Sequence, residues 1–461
     1  QKNTTKKYFL LVIIITIIAL LTKLMALNLS QATSVIIIAL FISTTFLFWN
    51  MRLSFAFIGV SLLLFFRVLD IPHLIEFSSL DIIIFLIGMM IIVGFLERSH
   101  FFEFVIGKLI EKVGNKGRLL IIVLLVISAF SAALIDEVTS ILIMTSIVIH
   151  LSTKYKVNPI PFVMMTIFAT NIGSSATVVG NPVGVMIALK GGLSFADFLR
   201  WATPISIISL FVCILVIFLI FRKDISQFAN NLKSSPIEKE KELIVKGHIL
   251  VSALLFIGTL TGLILHNQLE HLLGLKKNTL LIGVALVGAG ISLLLAKDRA
   301  GELVERRVDW WTLVFFMFLF ASVGSLEYTG VIDILSSKIS LLTGNNLLLT
   351  LIVIMLFGGI LSAMLDNVLA VAIMVPIIEH LVTINPTTAL PLWLSTLFSA
   401  TFFGNLTFIG STANIVALGV LQKRGLGHIS LKQWIIPGIF VTFTTIVVAF
   451  LLLIVQIPLM S

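Results

Sequence analysis

Apolar runs of about 20 residues recur along the whole chain, split by short polar stretches that hold most of the charge. A helix of that length crosses the hydrocarbon core of a bilayer. The pattern predicts eleven spans, at 8–27, 33–49, 53–68, 81–97, 158–190, 203–221, 248–266, 278–297, 309–327, 388–421 and 434–456. Two further stretches, 119–152 and 346–383, carry a polar interruption at their midpoints. Each is long enough to enter a membrane, turn and leave on the same side. They read as re-entrant helical hairpins with tips at Asp136-Glu137 and Asp366-Asn367. The expected fold class is therefore an all-α polytopic membrane protein with about 11 transmembrane helices plus two re-entrant hairpins. Composition agrees: 59% of residues are hydrophobic and 11% charged, where a soluble domain carries about a quarter charged residues. No second, soluble domain fits between the runs.

The net charge of +9 would suggest nucleic acid in a soluble protein. Here the positive-inside rule accounts for it. With the N-terminus cytoplasmic, 24 of the 31 Lys and Arg residues fall on inner segments. Making either hairpin a full span would flip every loop after it. The expected setting is the plasma (inner) membrane, multi-pass, with the C-terminus outside and the lipid bilayer as a partner; no nucleic acid is expected. The first run reads as a retained helix, being too long for a signal peptide and lacking a cleavage site. The single cysteine, Cys213, lies in an apolar run. It excludes an internal disulfide and a thiolate metal cluster.

The chain also repeats itself. A shift of 230 residues places Gly94 on Gly324, Glu97 on Glu327, Asp136 on Asp366, His150 on His380, Thr177 on Thr407 and Gly180 on Gly410. No gap is needed. In the charge-based topology the run before the first hairpin ends inside and its partner ends outside. The two repeats are thus expected to be inverted, as in many secondary transporters. The expected organisation is N-terminal scaffold helices at 1–80, a first repeat at 81–221, a cytoplasmic linker at 222–247, scaffold helices at 248–308 and a second repeat at 309–461.

Candidate chemistry sits at four places. Besides the tips, each repeat has a polar interruption inside a span of about 34 residues, "TNIGSSATVVGNPVG" at 170–184 and "TFFGNLTFIGSTANIVALG" at 401–419. Such spans are too long for one straight helix across roughly 30 Å, so broken helices are expected at 158–190 and 388–421. Unwound backbone at membrane depth is tolerated where it is buried in protein or lines a wet cavity, and there it can bind ions. A Gly-rich packing face is the plainer reading, but it leaves the matched acids unexplained. An ionised Asp in mid-bilayer costs about 2.5–3.5 kcal/mol on insertion scales. The acids can be protonated, can bind a cation, or can accept hydrogen bonds from the breaks; the first two are coupling chemistry. Candidate ion-coupling and substrate-binding residues are Asp136, Glu137, Asn171, Ser175, Thr177, Gly180, Asn181, Asp366, Asn367, Asn405, Thr407, Gly410, Ser411, Thr412 and Asn414. Sodium is a possible occupant at Glu137, Asn181 and Asn367. Glu97 and Glu327 sit past helix ends, where solvation suffices.

The segments "LSAMLDNVLAVAIMVPII", "NIGSSATVVGNPVGVMIA" and "GNLTFIGSTANIVALG" resemble motifs of the ion transporter superfamily. The resemblance is to the branch holding arsenite permeases, sodium/proton antiporters and the melanosomal P-protein, with citrate and dicarboxylate transporters more distant. It implies a scaffold domain, a mobile transport domain carrying the two hairpins, elevator-type alternating access and a homodimer. It also implies a small-ion substrate and no cofactor beyond a coupling ion, H+ or Na+. That branch typically has Asp-Asn at the first tip and Gly-Asp-Pro in the first break. This chain has Asp136-Glu137 and Gly180-Asn181-Pro182, as if one carboxylate had moved from the break to the tip. The leading expectation is a secondary active transporter of a small inorganic ion or a metalloid oxyanion such as arsenite. A sodium/proton antiporter and an organic anion (citrate or dicarboxylate) permease are the alternatives. A channel would need a continuous polar pore, and the motif settings of intramembrane aspartyl proteases are absent, so an enzyme is not expected.

Overall fold

The computed structural model describes residues 2–234, 246–344 and 346–460, and among them every regular element is helical. Among the described residues, eleven helices are long and apolar enough to cross a membrane. They are not the eleven predicted runs. Three are hairpin arms, Gly117–Leu134, Leu347–Leu365 and Asn367–Ile384. An 18-residue arm is about 27 Å long, close to the bilayer core by itself. Conversely, the run predicted at 53–68 yields the short helix Arg52–Phe65, and 158–190 and 388–421 are each interrupted.

The first hairpin forms because two signals coincide. Gly117–Leu134 ends at Ile135, and Asp136 restarts the chain as N-cap of Glu137–Lys154, its carboxylate accepting the Thr139 N–H. Such a cap satisfies one of the orphan donors of a helix N-terminus. The arms are then pinned together near the tip, where the Ser131 and Ser140 hydroxyls lie 2.5 Å apart. At the second tip Asp366 plays the same part, accepting the Val368 N–H at 2.9 Å. Its φ is 116°, a backbone setting that L-residues rarely adopt.

Helix bounds recur along the chain. Leu80–Arg98 is followed by Trp310–Tyr328, Phe101–Val113 by Val331–Thr343, Glu137–Lys154 by Asn367–Ile384, and Pro159–Gly173 by Ala389–Phe403, each pair starting 230 residues apart.

The predicted linker begins as structure. Arg222–Ser234 is an amphipathic helix with Ile225, Phe228, Ala229 and Leu232 buried. Gly117 makes room for Ala229, Phe228 packs its ring against Tyr155 and Phe162, and Asn231 donates to the Tyr155 carbonyl at 2.8 Å. The helix therefore straps the base of the first hairpin. The remainder of the linker, 235–245, lies outside the described residues.

The chain divides into two compact units. One comprises Gln1–Ile84, Asp309–Thr350 and Ala372–Ala389. It is cored by Ile37, Leu63, Val68 and Leu69, and Ser34 and Ser325 share a buried hydrogen bond of 2.8 Å. The other comprises Phe85–Val308, Leu351–Val371 and Leu390–Ser461. It holds the first hairpin, both helix breaks and the tip of the second hairpin.

Candidate functional site

The two breaks are built alike. In the first, Pro159–Gly173 ends, a short 3-10 turn spans Val178–Gly180, and Pro182–Gly191 resumes with Asn181 as N-cap. In the second, Ala389–Phe403 ends and Thr412–Lys423 resumes with Ser411 as N-cap. Gly180 and Gly410 occupy twin places where the chain crosses itself. A Cβ on Gly180 would collide with the Ser174 carbonyl, and one on Gly410 would come within 2.9 Å of the Gly404 carbonyl. Twin threonines tie each break to its hairpin: Thr177 donates to the Ala133 carbonyl, and Thr407 donates to the Ala363 carbonyl at 2.6 Å. These two hydroxyls fasten the frame and are not turned to the acids.

Glu137 lies where the breaks and tips converge, 1% exposed. Its Oε1 accepts from Asn367 Nδ2 at 3.0 Å and from Ser411 Oγ at 3.5 Å, and its Oε2 accepts from Ser174 Oγ at 3.2 Å. These partners are all neutral. Asp136 precedes Glu137 in the chain, and Asp366 precedes its partner Asn367. Glu137 and Asn367 are twins under the 230-residue shift, so two matched positions of the chain meet at this hydrogen bond.

Asn181 faces Glu137 indirectly. Its Oδ1 is taken by the Gly184 N–H at 2.8 Å, so its Nδ2 points inward and donates to Ser174 Oγ at 2.7 Å. Ser174 is thus the bridge between the residues suspected of exchanging a carboxylate. With a donor turned inward, Asn181 offers no oxygen to a cation beside Glu137. Thr412 donates to Asp366 Oδ2 at 2.7 Å.

A second amide cluster joins the breaks. Asn171 Nδ2 donates to Asn405 Oδ1 at 2.8 Å and to Asn414 Oδ1 at 2.9 Å. Asn414 Nδ2 donates to the Gly404 and Thr407 carbonyls at 2.7 and 2.9 Å. Those carbonyls accept only, which fixes the Asn414 amide and in turn that of Asn171. Asn171 Oδ1 is left buried without a donor, and so is Asn367 Oδ1. Ser175 stands apart, bonded to Ser206 at 2.7 Å.

Of the predicted residues, Asn367 and Ser411 bond the Glu137 carboxylate directly, and Asn181 reaches it through Ser174. Asn171, Asn405 and Asn414 form the adjoining amide cluster. Ser174 was missed. Its twin under the shift is Gly404, so a search that rewards matched polar residues passes over it. The signal available was its place in the polar run seven residues before Asn181.

A sequence profile described as "Citrate transporter" matches residues 38–340 and, a second time, 279–459. The chain belongs to the citrate transporter family. Relatives include an uncharacterized transporter of Mycobacterium tuberculosis, 33% identical over 378 residues that cover 80% of this chain and 84% of that one. The P protein of Homo sapiens is 24% identical over 78% of this chain and 51% of its own length. Among solved structures, the Alcanivorax borkumensis YdaH transporter, described as having an unusual topology, superposes with a TM-score of 0.57 at 15% identity. The match covers 87% of this chain and 89% of that one and shows a shared fold. The protein is a multi-pass membrane transporter, and its family points away from enzymatic chemistry.

Proposed function

We propose that this transporter is secondary active, coupled to protons or sodium through Glu137, and that it moves a small inorganic ion or a metalloid oxyanion of the arsenite kind. One observation carries the proposal. A carboxylate is buried where both breaks and both tips meet, and it is held by Ser174, Asn367 and Ser411, with no Lys or Arg among its hydrogen-bond partners. A buried charge without a basic partner is costly, and a proton or a bound cation relieves that cost. Coupling follows if the relief differs between the states open to each side. The twin helix bounds support reading the two halves as inverted repeats that exchange these states, with elevator-type movement of the hairpins and breaks.

The acids also bear on substrate. A citrate trianion would approach Glu137 against the charges of Asp136 and Asp366. Arsenite at neutral pH is an uncharged hydroxide, which acids need not repel. Sodium/proton antiport is the second reading. It is favoured by the donor-free oxygens Asn171 Oδ1 and Asn367 Oδ1, since amide oxygens are hard ligands suited to a cation.

The test is flux into vesicles holding the purified protein, under imposed pH or sodium gradients, with arsenite, sodium, phosphate, sulfate and citrate compared. Gradient-driven uptake of arsenite above equilibrium supports the first reading, and sodium movement driven by pH alone supports the second. Driven uptake of citrate with the other four inert would overturn both.

A further inference from the structure

A cavity of about 70 Å³ lies within the larger unit and is lined on one side by Phe85, Met89, Val93 and Glu97. These residues recur every fourth position on one face of Leu80–Arg98, a stripe about 18 Å long. The same cavity is lined by Asp136, Thr139 and Asn181, so it adjoins the candidate coupling site. Its exposed end is an ion pair. Arg307 Nη1 lies 2.7 Å from Glu97 Oε2, with side chains 39% and 33% exposed.

Arg307 owes its position to Gly94. A Cβ on Gly94 would fall 2.6 Å from Arg307 Cβ and 2.8 Å from its Cγ, so the arginine stem is seated on the glycine. The twin place tells what that seat needs. Gly324 is the twin of Gly94, and the side chain seated on it is Phe77, itself the twin of Arg307. Packing the socket therefore requires only a bulky side chain. The charge at Arg307, and its pairing with Glu97 across the end of the cavity, are additions that the architecture does not demand.

We propose that Glu97 and Arg307 form a charge gate at the mouth of the cavity leading to Asp136 and Asn181, selecting the sign of the ion that enters. The proposal rests on reading that cavity as the approach to a transport site. A half-exposed ion pair is weak, as a gate that must open requires. Arg307 masks Glu97; when the pair parts, the anchored carboxylate faces the passage and favours cations, while the guanidinium swings away with its stem.

The test reads access alone. Cys213, the only native cysteine, is fully buried, so the unmodified chain supplies a blank. Val185→Cys places a reporter on the cavity wall. In the full-length protein in vesicles, its modification is timed with a quaternary-ammonium and with a sulfonate methanethiosulfonate reagent. Arg307→Phe copies the twin packing and should speed the cationic reagent at least fivefold and the anionic one less than twofold. Glu97→Gln leaves the arginine stem on Gly94 and should show the reverse preference. Rates within twofold of the parent for both variants and both reagents would overturn the gate, and so would equal acceleration of the two reagents. No transported substrate is needed, so failure here leaves the transport reading standing, and failure of the flux assay leaves the gate standing.

Discussion

Glu137 is the residue whose charge should matter most. Removing its charge while keeping its shape, Glu137→Gln, is expected to lower gradient-driven flux at least tenfold while the protein still inserts and purifies as a single species. Glu137→Ala goes further and leaves Asn367 Nδ2 buried without its acceptor, while Ser174 Oγ keeps only the Asn171 carbonyl at 3.1 Å. It should destabilise the protein by about 1–3 kcal/mol, seen as a lower melting temperature in detergent. Ser174 supplies a sharper check. If it carries the link between Glu137 and Asn181, a double-mutant cycle of Glu137→Asn with Asn181→Asp should show coupling in transport. The same cycle built on Ser174→Ala should show none. Persistence of the coupling without the hydroxyl would mean that the two residues communicate by another route. At this scale the sequence was only partly legible. The acids stood out because ionisable residues are rare in apolar runs. Which amide face of Asn181 turns inward depends on the Gly184 N–H, a backbone detail that residue identity does not carry.

Between residues and the whole chain, the breaks and hairpins act as units. Gly180 and Gly410 are twins in sequence but unequal in space, since an added Cβ meets a carbonyl much more closely at Gly180. Gly180→Ala is therefore expected to abolish flux and to lower expression, while Gly410→Ala retains a measurable fraction of both. Equal effects would contradict the crossing geometry. The strap helix makes a separate claim. Phe228 is 2% exposed and packs against Tyr155 at the base of the first hairpin and against Phe162. Phe228→Ala should cost about 3–5 kcal/mol, the usual range for emptying a buried aromatic site, read as a loss of thermal stability. The sequence showed the breaks well, because Gly, Pro and capping residues cluster there. It hid the strap. Arg222–Ser234 has its apolar residues spaced for one helix face, but the flanking charge makes the stretch read as a solvated linker.

For the molecule as a whole, the most legible feature was hydropathy, which dictates an all-helical, multi-pass membrane protein. The number of spans was less legible. Hairpin arms about as long as a bilayer core is thick meet the same length and apolarity criteria as spans. The 230-residue shift, found from matched Gly, Asp, Glu and His, reappears in helix bounds and in the paired threonine ties. It also places the twins Glu137 and Asn367 in contact, 3.0 Å apart. One is an acid and the other an amide, so this contact holds one carboxylate, the group proposed to carry coupling. The most direct measurement is gradient-driven uptake by the purified protein in vesicles, wild type against Glu137→Gln, across imposed pH and sodium gradients. The expected result is accumulation above equilibrium that follows one of the two gradients and is lost in Glu137→Gln. Accumulation of equal size in the variant, still following the same gradient, would contradict it.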